Sequence, residues 1–578
     1  MENFVFSSRA KTVTLSFGVL GVLCLIATYL LYPESHHMRF WTNFLHNSVF
    51  FLGIALIANF VLAAFTTAYA GWYVMFKRVW ESFALWLLPA MFCMGVIIVG
   101  LVTESHHLYH WNDPELVVTD PILNHKSSFL NWWWYIGGTV VFGGIWYFFI
   151  TKMRRISLAE DNRGGDANFS HHRTYRKYAA VFLPIVGFTS AAMIWQWVMS
   201  MDSHWYSTMF AWYATASWFL GMMGLTIMMM IYLKSRGYFA KVTMEHFHDL
   251  GKYLFAISIF WTYLWFSQYM LIWYANVGEE TIYFRERLDN YRVLFYANLL
   301  INFLLPFAVL LPNYTKRRFG TLFFVALMVF LGHWLDFFLM IKPAARITID
   351  EHAAHADHGG HGDEHGSDTY DLSHGAAGGD HHDDGTHANE DHHSGDHHGS
   401  EHGEGNHHDT DHHGSGEHHS DHSDHHGEAD HSDGTHSSDG HSHDDGSHHS
   451  EADTYHSDDH GHDDGHHSED GHHGDDHASH DGESHSEGSH DNSELGAVGH
   501  SDGAHGSDDE HGGGHGHGGV DPTNRGFKDG YTIPGFWELG TFLGFTGFFL
   551  FFVLSRLEKA PLLPKNDPYL DESMHHHT

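Results

Sequence analysis

The sequence predicts an all-α integral membrane protein with about ten transmembrane helices, on three observations. Nine apolar runs, each near the roughly 20 residues needed to cross about 30 Å of hydrocarbon, precede a long polar stretch, and a tenth follows it. Lys and Arg gather in alternate connections. Trp and Tyr crowd the run ends, as interfacial aromatic belts do.

The first run, 14–32, follows Arg9 and Lys11. It is long for a signal-peptide core and no Ala-x-Ala-like site precedes Pro33, so a retained helix is expected. Runs 48–76, 83–103, 131–151, 178–200, 207–233, 250–275, 291–312 and 319–341 come next, and 536–556 is the last. Pro89, Pro184 and Pro306 fall inside runs, where neighbouring helices can satisfy the freed backbone groups. Trp41, Trp111, Trp132, Trp205, Trp273 and Trp537 stand near run ends.

Whole-chain averages mislead. The net charge of -40 comes from residues 351–520, which hold 44 of the 70 acidic residues, 45 of the 61 histidines and no Lys or Arg. The remainder has 26 acidic and 30 basic residues, a net of +4. If the N-terminus is cytoplasmic, 21 Lys and Arg fall on the inside and nine on the outside. Positive residues favour the cytoplasmic side, so both termini are expected there, with the His-rich loop outside: a bacterial inner-membrane protein with a periplasmic loop. Residues 351–520 are built almost entirely from His, Asp, Glu, Gly and Ser, and cannot bury enough apolar surface to offset ordering entropy. They are expected to be disordered. Loose Zn, Cu or Ni binding across 352–519 or proton buffering would suit imidazoles and carboxylates, but no spacing picks out a tight metal site.

A tandem pattern divides the helices. The second and sixth runs each open after a Trp, Trp41 and Trp205, and the third and seventh begin beside Glu81 and Asp249. The expected organisation is residues 1–40 as N-terminal segment and first helix, 41–200 and 201–345 as two parallel four-helix bundles, 346–530 as the loop, and 531–578 as the tenth helix and cytoplasmic tail, with the first and tenth helices peripheral.

Ionisable groups within spans are costly and are functional candidates by default. His333 and Asp336 sit at i and i+3, on one helical face. Gln196 leads outward to Asp202 and His204, and the third run ends at Glu104, His106 and His107. An imidazole to accept a hydrogen bond and a carboxylate to take the proton are the minimal apparatus for oxidising a quinol. Gln196, Asp202, His204, His333, Asp336 and Glu104 are therefore candidates for quinol binding or a proton path. Interfacial hydration of helix ends is the plainer account. Glu81, His248 and Asp249 are candidates for cytoplasmic proton entry. Asn298, Asn302 and Pro306 share a face that interhelical hydrogen bonding explains.

Cys24 and Cys93 are the only cysteines, each within an apolar run, where a small buried hydrophobe is expected. Two thiols by themselves cannot hold an iron–sulfur cluster, which needs four thiolates or a Rieske-type mixture of Cys and His, no CxxCH haem motif exists, and a facing histidine pair deep in the spans is lacking. No haem or iron–sulfur cluster is expected in this chain, so electrons would pass to cofactors elsewhere. Quinol, including menaquinol, is the candidate substrate. No catalytic residue is assigned, and catalysis by the chain alone is not expected.

Five segments carry a resemblance: Ala-Gly-Trp at 70–72 leading into Lys77-Arg78-Val79-Trp80-Glu81; Asp120-Pro121 through His125-Lys126; Ser200-Met201-Asp202-Ser203-His204-Trp205; His248-Asp249-Leu250-Gly251-Lys252; and Gly332-His333-Trp334-Leu335-Asp336 ahead of Pro343. In this order, over roughly 40–345, the chain resembles the ActF-type membrane subunits of bacterial alternative complex III, which are NrfD-like. The resemblance implies a part in quinol oxidation or proton conduction in a respiratory quinol:cytochrome c (or other acceptor) oxidoreductase. It also implies partners: a paralogous NrfD-like membrane subunit, an iron–sulfur subunit and multihaem cytochrome c subunits. Lipids are further expected partners, and nucleic acid is not. Two other readings stand beside it, a structural membrane scaffold and a metal transporter with a metal-buffering loop.

Overall fold

The computed structural model describes residues 4–165, 167–358 and 530–577; the side chains at 34, 35, 279 and 348–358 are outside that description. The rest of the His-rich segment, with its expected disorder and loose metal binding at 352–519, lies outside the described residues.

The protein is a multi-pass, all-α membrane protein. Among the described residues ten helices are long and apolar enough to span: α1 Ser8–Leu31, α2 His36–Thr67, α3 Lys77–Val102, α4 Trp132–Arg163, α5 Ser170–Met201, α6 Met209–Ser235, α7 Met244–Ala275, α8 Arg292–Leu310, α9 Phe319–Ile347 and α10 Phe536–Leu557. They alternate in direction. The start of α1 and the end of α10 lie at one end, called the tail end below, and the other is the far end.

Several boundaries differ from the apolar runs, for physical reasons. Helix α2 begins well before residue 48 because Asn43, His46 and Asn47 are buried against protein rather than lipid. It stops at Thr67, ahead of Tyr69 at φ 58°, and a 3₁₀ turn at Trp72–Met75 leads into α3. The expected division at residue 40 therefore falls inside a helix. In α3 the ladder loosens at Leu85 and Trp86, where Pro89 lacks the N–H that would bond the Leu85 carbonyl. In α8, Pro306 leaves the Asn302 carbonyl without its helical partner, and the chain takes a π-helical turn at Leu300–Leu304. Helix α9 continues as far as His358, past the loop start expected at 346. Arg346 is buried there, 3.8 Å from Glu286.

Neighbouring helices close two rings. Helix α2 packs on α3 and α5, α3 on α4, and α4 on α5; α6 packs on α7 and α9, α7 on α8, and α8 on α9. Helices α2 and α5 also meet α6, and α2 meets α9, so the rings share one core. Helix α1 pairs with α10, and the pair lies against α2.

Hydrocarbon offers no hydrophobic drive for two apolar helices to associate, so small residues that allow close backbone approach supply the contact. Gly540, Gly544 and Gly547 form such a stripe on α10. A Cβ on Gly544 would lie 2.3 Å from Gly21 Cα, one on Gly547 2.6 Å from the Thr14 carbonyl oxygen, and one on Gly540 2.3 Å from Cys24 Sγ. Cys24 is thus a buried packing residue, whereas Cys93 is only half-buried. Backbone cannot yield as a side-chain tip does. Gly544→Leu is expected to destabilise the protein by about 1–3 kcal/mol and to separate α1 from α10. Thermal denaturation in detergent, with cysteine cross-linking between α1 and α10, checks it; an unchanged melting temperature and cross-linking yield would refute the close packing.

Candidate functional site

Asp336 is wholly enclosed within the α6–α9 ring. Its Oδ1 accepts from the Tyr213 hydroxyl and from Asn298 Nδ2 (2.7 Å), and its Oδ2 from the Trp261 indole N–H (2.9 Å). His333, one turn earlier on α9, is equally buried. Its Nδ1 is 3.8 Å from Asp336 Oδ2 and shares a 3.0 Å hydrogen bond with the Ser217 hydroxyl. Asn302 Nδ2 donates to Asn298 Oδ1 at 2.6 Å. All four helices therefore contribute. An ionised carboxylate is costly in hydrocarbon, and three donors supply the solvation that water would give. His333 Nε2, Asn302 Oδ1 and Ser258 Oγ are enclosed without a partner among the described residues, which leaves hydrogen-bonding capacity for water.

From Asp336 the polar groups lead toward the far end. Tyr213 and Asn298 border a cavity of about 20 Å³, also lined by Gln268, Tyr283 and Arg287, room for one water. Arg287 lies over the Tyr283 ring at 3.3 Å and donates to the Tyr283, Leu339 and Met340 carbonyls. Trp205 stacks on the other side of this group, 3.8 Å from the Tyr283 ring centroid. Asp202, three residues earlier, is half-buried, with Oδ2 enclosed and unpartnered among the described residues. Burial pushes its carboxyl above the usual range, against the pull of Arg287. On the tail side of His333 the interior of this ring turns apolar, with Leu250, Leu254, Leu322, Val325, Ala326 and Val329 buried. The polar line is thus half a membrane long.

The remaining far-end candidates do not join it. His204 pairs with Asp120, whose carboxyl, despite burial, is held below its ordinary value by His204 and the Ile122 and Leu123 amides. Gln196 Nε2 donates to the Phe129 carbonyl at 2.6 Å. An open cleft of about 420 Å³ lies beside these groups, lined by Lys126, Phe129, Trp195, Met199, Ser203, Trp205 and Tyr206 among others. Glu104, at φ 53°, borders a separate cleft of about 170 Å³ with His106, His107 and His110. Burial pushes His106 down to about 4, so it is neutral. The described residues hold no group of three or more His, Cys, Asp or Glu arranged to bind a metal.

The three tail-end candidates separate as well. Glu81 belongs to a buried ionic network in the α2–α5 ring, not to a site shared with His248 and Asp249. It accepts from Arg78 at 2.6 Å and pairs with Arg154; Arg78 also pairs with Asp161. Lys77 reaches Asp567 of the C-terminal segment at 2.6 Å and Glu160 at 3.6 Å. Asp249 binds Lys252 at 2.9 Å and His576 at 2.5 Å, beneath the same C-terminal segment. His248 sits near Lys252 and Arg317.

Sequence reasoning missed Tyr213, Ser217, Trp261, Gln268 and Arg287. It also missed a far-end cluster in which Glu538 accepts from Arg39 (2.8 and 3.0 Å) and Asn43 (2.9 Å), next to Lys342, which donates to Thr42 at 2.7 Å. A charged residue on the last helix facing apolar neighbours was the available signal for Glu538. No family model matches the chain, and no curated protein is significantly similar to it.

Removing one partner of a buried ion pair strands the other charge. Asp567→Asn is expected to cost about 3 kcal/mol and to release residues 560–577 to protease at neutral pH. Burial alone would raise the Asp567 carboxyl, but Lys77 and the Tyr569 amide hold it below its ordinary value. A lowered folded value stabilises the docked tail above the unfolded value, near pH 4, and that stability disappears as pH falls through the folded value. Limited proteolysis against pH measures this. A wild-type tail released already between pH 5 and 7 would contradict it.

Proposed function

We propose that this chain is a cofactor-free membrane subunit of a respiratory quinol-oxidising complex, in which the α6–α9 ring carries protons between mid-membrane and the far end. The observation that carries the reading is Asp336, which no Lys or Arg pairs among the described residues and which three donors and an adjacent imidazole hold within the helical layer. A proton taken by Asp336 from the His333 side can leave through the Tyr213 hydroxyl and the water-sized cavity toward Arg287 and Asp202. Carboxylate and phenol exchange a proton over a direct hydrogen bond, and the imidazole 3.8 Å away can do so through a water. Electrons from quinol would go to cofactors in partner chains.

The charge asymmetry of the connections supports a tail end in the cytoplasm and a far end in the periplasm of a bacterial inner membrane. The resemblance to ActF-type subunits supports partnership with an NrfD-like paralogue, an iron–sulfur subunit and multihaem cytochromes c. Quinol binding by this chain itself has one favourable observation, the 420 Å³ cleft walled by Phe129, Trp195, Trp205 and Tyr206 beside Ser203 and Lys126, next to Asp202 in the chain.

Asp336→Asn keeps the shape of the side chain and removes its proton chemistry. In the complex purified with its partners and reconstituted into vesicles, it is expected to lower proton release coupled to quinol oxidation by at least about tenfold, with assembly intact; Tyr213→Phe is expected to act in the same direction. Unchanged proton release and quinol turnover in both variants would leave the scaffold reading instead.

A further inference from the structure

The tail end holds a second kind of charged site, distinct from the ionic network and from the proton line. Between α4 and α5 lies a cleft of about 250 Å³, lined by Lys152, Arg155 and Ile156 on α4 and by Ser170, His171 and Thr174 on α5. Among the described residues no acidic side chain lines it. We propose that this cleft binds the phosphate headgroup of an anionic phospholipid.

Four observations converge. First, among the described residues no carboxylate pairs its cations. Elsewhere at this end Lys77, Arg78 and Arg154 are each paired with carboxylates, whereas Arg155 has no ion pair or hydrogen bond among the described residues, and Lys152 only lies over the Tyr178 ring at 5.6 Å. Second, His171 Nδ1 is enclosed without a partner among the described residues. Third, the cleft opens on the first turn of α5, a helix whose preceding residue, Phe169 at φ 47°, gives it no side-chain cap. Amides at the start of a long helix carry partial positive charge and favour an oxygen anion. Fourth, its depth suits a lipid. The apolar run of α4 ends at residue 151 and that of α5 begins at 178, so Lys152 and Thr174 stand at the headgroup level, while the exposed Phe148 and Val181, one to two turns toward the hydrocarbon, offer an apolar wall. Basic pockets between transmembrane helices recognise anionic headgroups by this combination. A phosphate ion shares the chemistry but has no use for the apolar wall.

The full chain, in the assembly with which it purifies, is stripped of lipid in detergent and titrated with phosphatidylglycerol, phosphatidylcholine or inorganic phosphate, and bound species are counted by native mass spectrometry. Phosphatidylglycerol is expected to be retained, and Lys152→Ser/Arg155→Ser to weaken its retention roughly 10- to 30-fold. The exposed pair Arg173→Ser/Lys177→Ser removes the same charge beyond the cleft and is expected to leave retention unchanged. Equal loss in both double variants, equal retention of phosphatidylcholine, or displacement of phosphatidylglycerol by millimolar phosphate would each overturn the proposal. Proton release is not read, so this result stands or falls apart from the quinol-linked function.

Discussion

Hydrocarbon cannot solvate a charge, and the arrangement of this protein follows from that constraint. A lone ionised side chain among the helices costs several kcal/mol. Charged groups in the helical layer are therefore matched from remote parts of the chain: Arg39 with Glu538, Lys77 with Asp567, Arg78 with Asp161. The first and third pairs tie an early helix to a later one, and the second ties α3 to the C-terminal segment. Most of the resulting ion clusters sit at the two ends of the rings, where the helices widen into loops and the C-terminal segment covers them. Apolar packing dominates the span between.

The late helix α10 and the segment after it are held by two unlike means. Within the apolar layer the contact with α1 is steric, glycine against glycine, because lipid tails compete equally well for any larger apolar side chain. Beyond the layer it is ionic and hydrogen-bonded. Lys565 N donates to Asp161 at 2.8 Å, Asn566 Nδ2 to the Glu160 carbonyl at 3.0 Å, and His246 Nε2 to the Ser573 carbonyl at 2.9 Å. The C-terminal segment thereby touches α4 of one ring and α7 of the other. The two rings share a core along α2, α5, α6 and α9, and this strap fastens them again at the tail end.

Asp336 has no Lys or Arg partner among the described residues. Its charge is met by a phenol, an indole and an amide, all neutral, with an imidazole one turn away. Neutral donors satisfy a carboxylate without the fixed positive charge that a guanidinium brings, and the proposed proton path rests on that difference. Glu81 is the converse. It too is a buried carboxylate, yet two guanidiniums, Arg78 and Arg154, pair with it.

Much was legible in the sequence because hydropathy and charge are local. Ten spans, their alternation and the His333–Asp336 face need only the apolar period, the loop charges and the 3.6-residue turn. Boundaries were misjudged where burial in protein replaced burial in lipid, as at Asn43 to Asn47, since hydropathy cannot tell the two apart. The site was half legible for a similar reason. His333, Asp336 and Asp202 stand out as ionisable residues near or inside apolar runs, but Tyr213, Ser217 and Trp261 look like ordinary membrane residues until four helices bring them together. Glu81, His248 and Asp249 looked alike as tail-end acids and imidazoles, and only three-dimensional neighbours separated them. The sequence alone determined that this chain crosses a membrane about ten times with most of its rare charges near the ends. Tertiary structure decided which charges are locked in pairs and which carboxylate is left to neutral donors, because pairing depends on distances between helices that no local pattern records.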